Sequence, residues 1–323
     1  MGVELKVPDV LAILRDLVLQ VPPGRVTTYR ALAEALGDPG ATPFVAEWLM
    51  SLDAADLPVH RVVHASGAVG RAWGKMPEEM VVRLRAEGVH VVGDEVSPLI
   101  RYFFWEFRTD RPLERLQAEQ EEIGRRVVLV PLAEARTVGA VDIAYRGDEA
   151  VAAYVLGELG GDVVDYVVAR TPVRFPYIPT YLSYRELPAY LAVVAEAERA
   201  GLAADVLLVD GSGVLHPRRA GVAAHLGVLL DRPTVGVAKR RLCGDVNTVG
   251  MAIGEWRPVA LGEDMVGAAI RTDRNRTLFV SPGHRADLAG AVELVQALTR
   301  ETALPWPLAW AHDLATESAA SPP

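Results

Sequence analysis

Apolar residues recur with two different periods along this chain, and the change falls near residue 127. Before it the spacing is helical. Over residues 9–21, Val10, Ile13, Leu14, Leu17, Val18 and Val21 share one face. Pro22-Pro23-Gly24 ends that helix, and Thr27 or Thr28 caps a second, TTYRALAEALG, which Gly37 closes. A third helix is predicted from about Thr42 to Leu52, and a fourth starts at Pro77 and stops at Gly88. Between these two lies LPVHRVVHASGAVG, a short apolar run with glycine turns. Short helices followed by a small wing suit a helix-turn-helix-like module. Gly93 to Pro112 then mixes turn residues with an aromatic cluster, RYFFWEFR, fit for a docking strand or a stacking surface. PLERLQAEQEEIGRRV reads as a polar helix that opens a second domain.

From Val127 the runs are short and β-branched. VVLVPL, TVGAVDIAY, AVAAYVL and VVDYVVAR predict a meander of antiparallel strands. FPYIPTYLSYRELPAYLAVVAEA begins with stiff prolines and aromatics and continues as an amphipathic helix. VLLVD and PTVGVA follow as buried strands. MVGAAIRTD and RTLFVSPGHR then form a closing hairpin before a last helix, ADLAGAVELVQAL. The tail is small and polar, so fraying is expected. The chain thus divides into a first domain at 1–92, a linker at 93–112, a second domain at 113–310 and a flexible tail at 311–323.

The 323 residues suit about two domains, and half of them are apolar, enough for ample core. A formal charge of −9 excludes a protein coated in basic surface but not a local nucleic-acid patch. The single cysteine, Cys243, excludes an internal disulfide and a zinc site of several thiolates. MGVELKVPDV carries no signal pattern and no run of about 18 apolar residues occurs, so a cytoplasmic chain with no membrane partner is expected.

Several polar residues sit where apolar patterning expects none. Asp142 interrupts the strand TVGAVDIAY; it lies either on a solvent-facing edge strand or in a pair or metal site, because an isolated buried charge is costly. Glu186 follows Ser183 by three, which is capping-box spacing, and equally suits a ligand. Asp210 stands where VLLV ends, before a flexible Gly211-Ser212-Gly213 turn; that is a strand-to-helix loop or a site. His216, Arg218 and Arg219 are donors suited to phosphate. Lys239 leaves a buried strand, and His284 stands in Ser-Pro-Gly-His-Arg at the end of another. Pro176-Tyr177-Ile178-Pro179 is a stiff apolar prong suited to wedging between bases. Asp142, Glu186, Asp210 and His284 come from four separate elements. Hard oxygen ligands favour Mg²⁺ or Mn²⁺, and with a lysine nearby they suit phosphodiester hydrolysis.

Two resemblances sharpen this reading. VPPGRVTTYRALAEALGDP, PVHRVVHASGAVG and RLRAEGV resemble the DNA-binding half of the O6-alkylguanine-DNA alkyltransferases and alkyltransferase-like proteins. In that family the cysteine of Pro-Cys-His-Arg-Val takes the alkyl group; here Val59 holds its place, and a valine has no nucleophile. The resemblance makes His60 and Glu87 the relay pair and Tyr29 the base-rotating tyrosine. The family's stack-filling arginine falls near Pro43 and its binding-loop asparagine near Ser51, whereas Arg71 and Trp73 lie in the loop over the pocket.

VDIAY, FPYIPTYLSYRE, LLVDGSGVLHPRRAGVAAHLGV, GVAKRRL and VSPGHR, in this order over roughly residues 113–305, resemble endonuclease V, the deoxyinosine-specific nuclease. The resemblance implies a ribonuclease H-like mixed five-stranded sheet with flanking helices, and hydrolysis of the second phosphodiester 3′ to the lesion. It gives Asp142, Asp210 and Glu186 to Mg²⁺, with Lys239 and His284 assisting. It makes Tyr177 the wedge, flanked by Ile178 and Pro179. Leu182, Gly211, Gly213, Gly221 and Leu242 line the base pocket, and His216 and Arg218 face phosphates. Thr180 stands where the family usually has glycine, and Tyr184 where it has phenylalanine.

The whole chain therefore reads as α/β: a winged-helix-like alkyltransferase-like domain ahead of a ribonuclease H-like nuclease domain. It is expected to act as a monomer on DNA with deaminated or alkylated bases. A non-catalytic lesion sensor and a nuclease acting chiefly on inosine in RNA are the rival readings.

Overall fold

A computed structural model describes residues 5–52, 57–70, 77–299 and 303–321. The chain divides into two compact units: Pro8–Gln117 with Phe175–Pro179, and Met1–Val7 with Ala118–Arg174 and Thr180–Pro323. Among the described residues no helix is long and apolar enough to cross a membrane.

In the first unit, α1 (Val10–Leu19) starts where Asp9 Oδ1 accepts the Ala12 N–H at 2.9 Å. Strand β1 (Thr27–Thr28) leads into α2 (Tyr29–Leu36), whose Ala31 N–H is capped by Thr28 Oγ1. Gly37 ends it at φ 106°, a left-handed position that a side chain would strain. Helix α3 (Thr42–Ser51) is followed by β2 (Val62–Val63), which pairs in parallel with β1. Helix α4 (Pro77–Ala86) precedes the hairpin of β3 (Val91–Val92) and β4 (Glu95–Val96), the expected wing. Arg71 and Trp73 lie outside the described residues.

The stretch expected as a linker is part of this unit. Short α5 (Leu99–Tyr102) leads to Phe104, whose N–H donates to Val26 O, while Val26 N–H donates to Tyr102 O. Arg108 and Gln20 exchange two hydrogen bonds, Arg108 N–H to Oε1 and Nε2–H to the Arg108 carbonyl. Turn residues made 93–112 look free, but several of their backbone groups have partners in this unit. Helix α6 (Pro112–Arg126) then carries the chain from one unit to the other.

The second unit is built on one eight-stranded mixed sheet. Its strands are β5 (Thr137–Arg146), β6 (Glu149–Glu158), β7 (Val163–Pro172), β8 (Val206–Asp210), β9 (Thr234–Ala238), β10 (Trp256–Leu261), β11 (Asp264–Arg271) and β12 (Thr277–His284). Their order is β10-β11-β12-β9-β8-β5-β6-β7. The β5-β6-β7 meander is antiparallel as expected, and β8 runs parallel to both β5 and β9. The sheet has eight strands rather than five. Strand β10 has only one fully buried residue, Val259, so its sequence carries little strand signal. VVLVPL is not a strand; Val128, Leu129 and Val130 are exposed.

Helices cover both faces. Val138, Ala140, Val206 and Leu208 pack with Val292 and Val295 of α9 (Leu288–Leu298) and Leu308 and Ala311 of α10 (Trp306–Ala320). Val141, Leu207 and Val209 pack with Leu187, Tyr190 and Val193 of α7 (Leu182–Arg199) and Ala223 and Leu226 of α8 (Val222–Leu230). Alternate residues of each strand thus serve opposite faces, which is why these strands read as continuous apolar runs. Each fully buried Val or Leu contributes roughly 1.5–3 kcal/mol.

Helix α10 corrects the expected frayed tail. Ala311, Ala315 and Ala319 form a buried stripe at helical spacing, and the helix packs on β5 and β6. The small side chains that suggested a loose end are what let the helix lie close to the sheet.

Candidate metal centre

Asp142 lies in the middle of β5, which pairs with β6 on one side and β8 on the other, so it is not on an edge strand. Its residue is 5 % exposed. The register pairs Val141 with Val209, bringing Asp142 and Asp210 side by side at the end of β8. Glu186 comes from the second turn of α7. Ser183 does not cap that helix: Tyr181 is the N-cap residue and no side chain bonds there, so the capping-box alternative falls away.

One Glu186 oxygen, Oε2, is buried without a hydrogen-bond partner. Burial raises the Glu186 carboxyl well above its ordinary range, with the charges of Asp210 and Asp142 adding to the rise. Arg185 and a hydrogen bond from the Tyr145 hydroxyl oppose it. Burial, then the charge of Asp210, pushes Asp142 up to about 6. The Ile143 N–H on Oδ1 at 2.7 Å and His312 on Oδ2 pull it back. Three carboxylates gathered so closely repel one another, and an orphaned buried oxygen among them calls for a cation.

Sequence reasoning missed His312. Its Nδ1 lies 2.7 Å from Asp142 Oδ2, and Asp142, Asp210 and His312 each offer a ligand atom within 4.8 Å of the others. Lys239, one residue beyond β9, places Nζ 3.0 Å from Asp210 Oδ2. The donor set fits a hard divalent ion.

His284, expected here, lies elsewhere. It pairs with Thr234 at the opposite end of β9 from Lys239, and Asp210 pairs with Val237, three registers along. That is about 10 Å of strand. His284 Nδ1 instead accepts the Val128 N–H at 3.3 Å, and Nε2 bonds Asp231 Oδ1 at 3.1 Å. The glycine turn before it serves packing: a Cβ on Gly283 would stand 2.2 Å from Thr234 Oγ1.

The proposed base-pocket glycines are packing positions as well. A Cβ at Gly213 would meet the Pro282 carbonyl oxygen at 2.1 Å, and one at Gly221 would meet Ser212 O at 2.2 Å. Their N–H groups are bonded internally: Gly211 to Val237 O, Gly213 to Ser281 Oγ and Gly221 to Gly213 O. Leu182 opens α7, and Leu242 is exposed. Tyr177 and Pro179 are exposed, but Ile178 is buried and does not form part of an exposed prong.

His216 and Arg218 do not face outward as phosphate donors. His216 is 2 % exposed. Its Nδ1 accepts the Arg218 N–H, which leaves Nε2–H to donate to Thr180 O at 2.9 Å. Burial first, then Arg218, holds His216 down to about 4, so the ring is neutral near pH 7. Arg218 donates to Gln120 Oε1 and to both oxygens of Thr180, and lies over the Tyr181 ring.

In the first unit Val59 is buried, and His60 Nε2–H donates to Glu87 Oε1 at 2.9 Å. Arg61 adds Nε and Nη2 bonds to the same carboxylate, and the Gly24 N–H a further one at 3.2 Å. Burial would raise Glu87, but these bonds prevail and hold it to about 2. Burial also lowers His60. Tyr29 is largely buried, its ring 5.3 Å from that of His64.

Comparison with known proteins agrees with this division. Residues 121–313 match endonuclease V, and residues 12–89 match the DNA-binding domain of 6-O-methylguanine DNA methyltransferase. The endonuclease V of Thermofilum pendens is 46 % identical over 215 residues, covering 63 % of this chain and 88 % of the relative. A bifunctional methyltransferase/endonuclease of Picrophilus torridus is 32 % identical over 306 residues, covering 94 % of this chain and 95 % of the relative. Over 65 % of this chain the fold is similar to that of Ciona intestinalis endonuclease V, solved with a 24mer DNA containing an inosine followed by a ribo-adenosine (TM-score 0.59, 24 % identity, 99 % of that chain). With a carboxylate and histidine cluster able to hold a metal ion and a match that spans most of the second unit, the chain belongs to the endonuclease V family.

Proposed function

We propose that this protein is a Mg²⁺-dependent repair endonuclease, with Mn²⁺ as a substitute, that hydrolyses the second phosphodiester 3′ to deoxyinosine in DNA. The observation that carries the proposal is the cluster of Asp142, Asp210 and His312, whose ligand atoms lie within 4.8 Å of one another, beside the unpartnered buried oxygen of Glu186. Asp142, Asp210 and Glu186 would hold the ion, and His312, bonded to Asp142, would fix that carboxylate's orientation. When bound, Mg²⁺ supplies a Lewis acid for the negative charge that develops in phosphodiester hydrolysis. Lys239 steadies Asp210 and is exposed enough to reach a phosphate oxygen. Tyr177 is free to enter a base stack. DNA containing an inosine is the ligand of the Ciona relative, and this chain is taken to share that partner.

The first unit is a non-catalytic DNA-binding module in this reading. The residue at its alkyl-acceptor position, Val59, cannot accept an alkyl group, although the His60–Glu87 pair persists. The protein is taken to act as a monomer.

The test is a nicking assay on matched duplexes carrying inosine, O6-methylguanine or neither, and on an inosine-containing RNA. Each is run with Mg²⁺ and with EDTA. Metal-dependent cutting near inosine in DNA, reduced by at least about 10³-fold in Asp210→Ala, is expected. Lesion binding without any cutting would replace the nuclease with a sensor, and preferential cutting of the RNA would change the substrate.

A further inference from the structure

Thr180 is a non-glycine residue in the left-handed region, at φ 68°. A β-branched side chain there costs on the order of 1–3 kcal/mol and persists only where surrounding groups hold it. Here three donors converge on its carbonyl oxygen: Gln120 Nε2 at 2.9 Å, His216 Nε2 at 2.9 Å and Arg218 Nη2 at 3.2 Å. A fourth bond reaches its side chain, from Arg218 Nη2 to Thr180 Oγ1 at 2.8 Å. The donors are themselves fixed. Gln120 is fully buried and its Oε1 accepts Arg218 Nε at 2.7 Å. The tautomer of His216 is set by the Arg218 N–H on Nδ1.

The place of this clamp in the chain gives it meaning. Thr180 directly follows the Pro176–Pro179 prong and precedes α7 by two residues, and α7 carries Glu186. A carbonyl held by three donors, one of them a guanidinium, cannot swing freely. The residue from which the prong is presented, and the start of α7 beside it, are therefore held before any lesion arrives, which lowers the ordering cost of binding.

We propose that Thr180 is a positioning residue for lesion engagement, whose hydroxyl locks Arg218 and so pre-organises the corner that presents Tyr177. The inference rests on the deoxyinosine reading above. None of the clamp residues is a ligand of the metal cluster, so lesion binding should suffer when the clamp is loosened, and the chemical step should not.

The test compares the full-length wild type with Thr180→Gly, Thr180→Ser and Arg218→Met. Affinity is measured for a duplex with one deoxyinosine in Ca²⁺, and the single-turnover rate is measured at saturating enzyme in Mg²⁺. Thr180→Gly relieves the backbone strain but removes the hydroxyl, and is expected to weaken lesion binding about fivefold with the rate within about twofold. Thr180→Ser should restore affinity, because serine keeps the hydroxyl. Arg218→Met should weaken binding by about tenfold or more. Unchanged affinity in Thr180→Gly, failure of serine to rescue, or a rate that falls in step with affinity would each overturn the proposal. Wild type that neither prefers nor cuts the inosine duplex would sink the functional reading, and the clamp's role with it. Activity in wild type with no effect in the variants would sink only the clamp.

Discussion

Two histidine–carboxylate pairs, His60–Glu87 in the first unit and His312–Asp142 in the second, have opposite surroundings. Glu87 receives His60, Arg61 and the Gly24 N–H, and is held to about 2. Asp142 receives His312 and one backbone N–H, stands beside another carboxylate, and is pushed up to about 6. Close by, Glu186 keeps a buried oxygen with no partner. In the first network the carboxylate is fully partnered, and the one orphaned atom is His60 Nδ1 on the far side of the ring. In the second, burial and neighbouring charge hold a carboxyl oxygen that a bound cation would partner. In this molecule the state of satisfaction of the carboxylate, more than the presence of a His–acid pair, separates a retained scaffold from a working centre.

The largest effect that would sharpen this contrast is expected from His312→Ala. Losing the group that orients Asp142 should lower single-turnover cutting about 10–100-fold and raise the Mg²⁺ needed for half-maximal rate. His284→Ala, assayed alongside, should stay within about threefold, since His284 bonds Asp231 and Val128. If His284→Ala were the worse of the two, the metal centre would have to be redrawn.

A smaller effect concerns pH. Asp142 must lose its proton to take a cation, so Mg²⁺ affinity should rise with pH through about 6, by up to about tenfold per unit below that value. Titration calorimetry between about pH 5 and 8 measures it. A flat profile would mean that Asp142 is already ionised and that its repulsion with Asp210 is weak.

The smallest effect belongs to the first unit. Glu87 is depressed in the folded state, so the stability it contributes is full above its unfolded value of about 4.5 and fades as pH falls through about 2. Glu87→Gln should cost on the order of 1–3 kcal/mol at neutral pH and flatten that acid limb of the melting curve. Nicking of inosine duplexes at saturating enzyme should be unchanged. Loss of cutting in Glu87→Gln would show that the first network also serves catalysis.

Local patterns explain what the sequence made legible. Thr28, Gly37 and Gly88 punctuate helices by backbone chemistry that acts within a few residues, and each does so here. Asp142 and Asp210 stood out because each breaks an apolar run, and that break is what a buried charge looks like in one dimension. His312 gave no such break. It lies in LAWAHDLAT, where alanines blur the helical stripe, and its partner is 170 residues away. The repeat of Leu308, Ala311, Ala315 and Ala319 was the available signal. His284 drew attention because it followed a glycine turn, yet the glycine answers to the crowding of Thr234. His216 and Arg218 looked like phosphate donors because nothing in a sequence reveals that a carbonyl such as Thr180 O will be waiting for them.

The reach of that last helix bears on how the protein comes into being. A contact spanning 170 residues closes a long loop, and such long-range closure is slow relative to helix or hairpin formation. Any molecule in which α10 is still undocked has Asp142 without its orienting histidine. A strand-cutting enzyme arranged in this way would be weakened while immature, by about the 10–100-fold expected of His312→Ala.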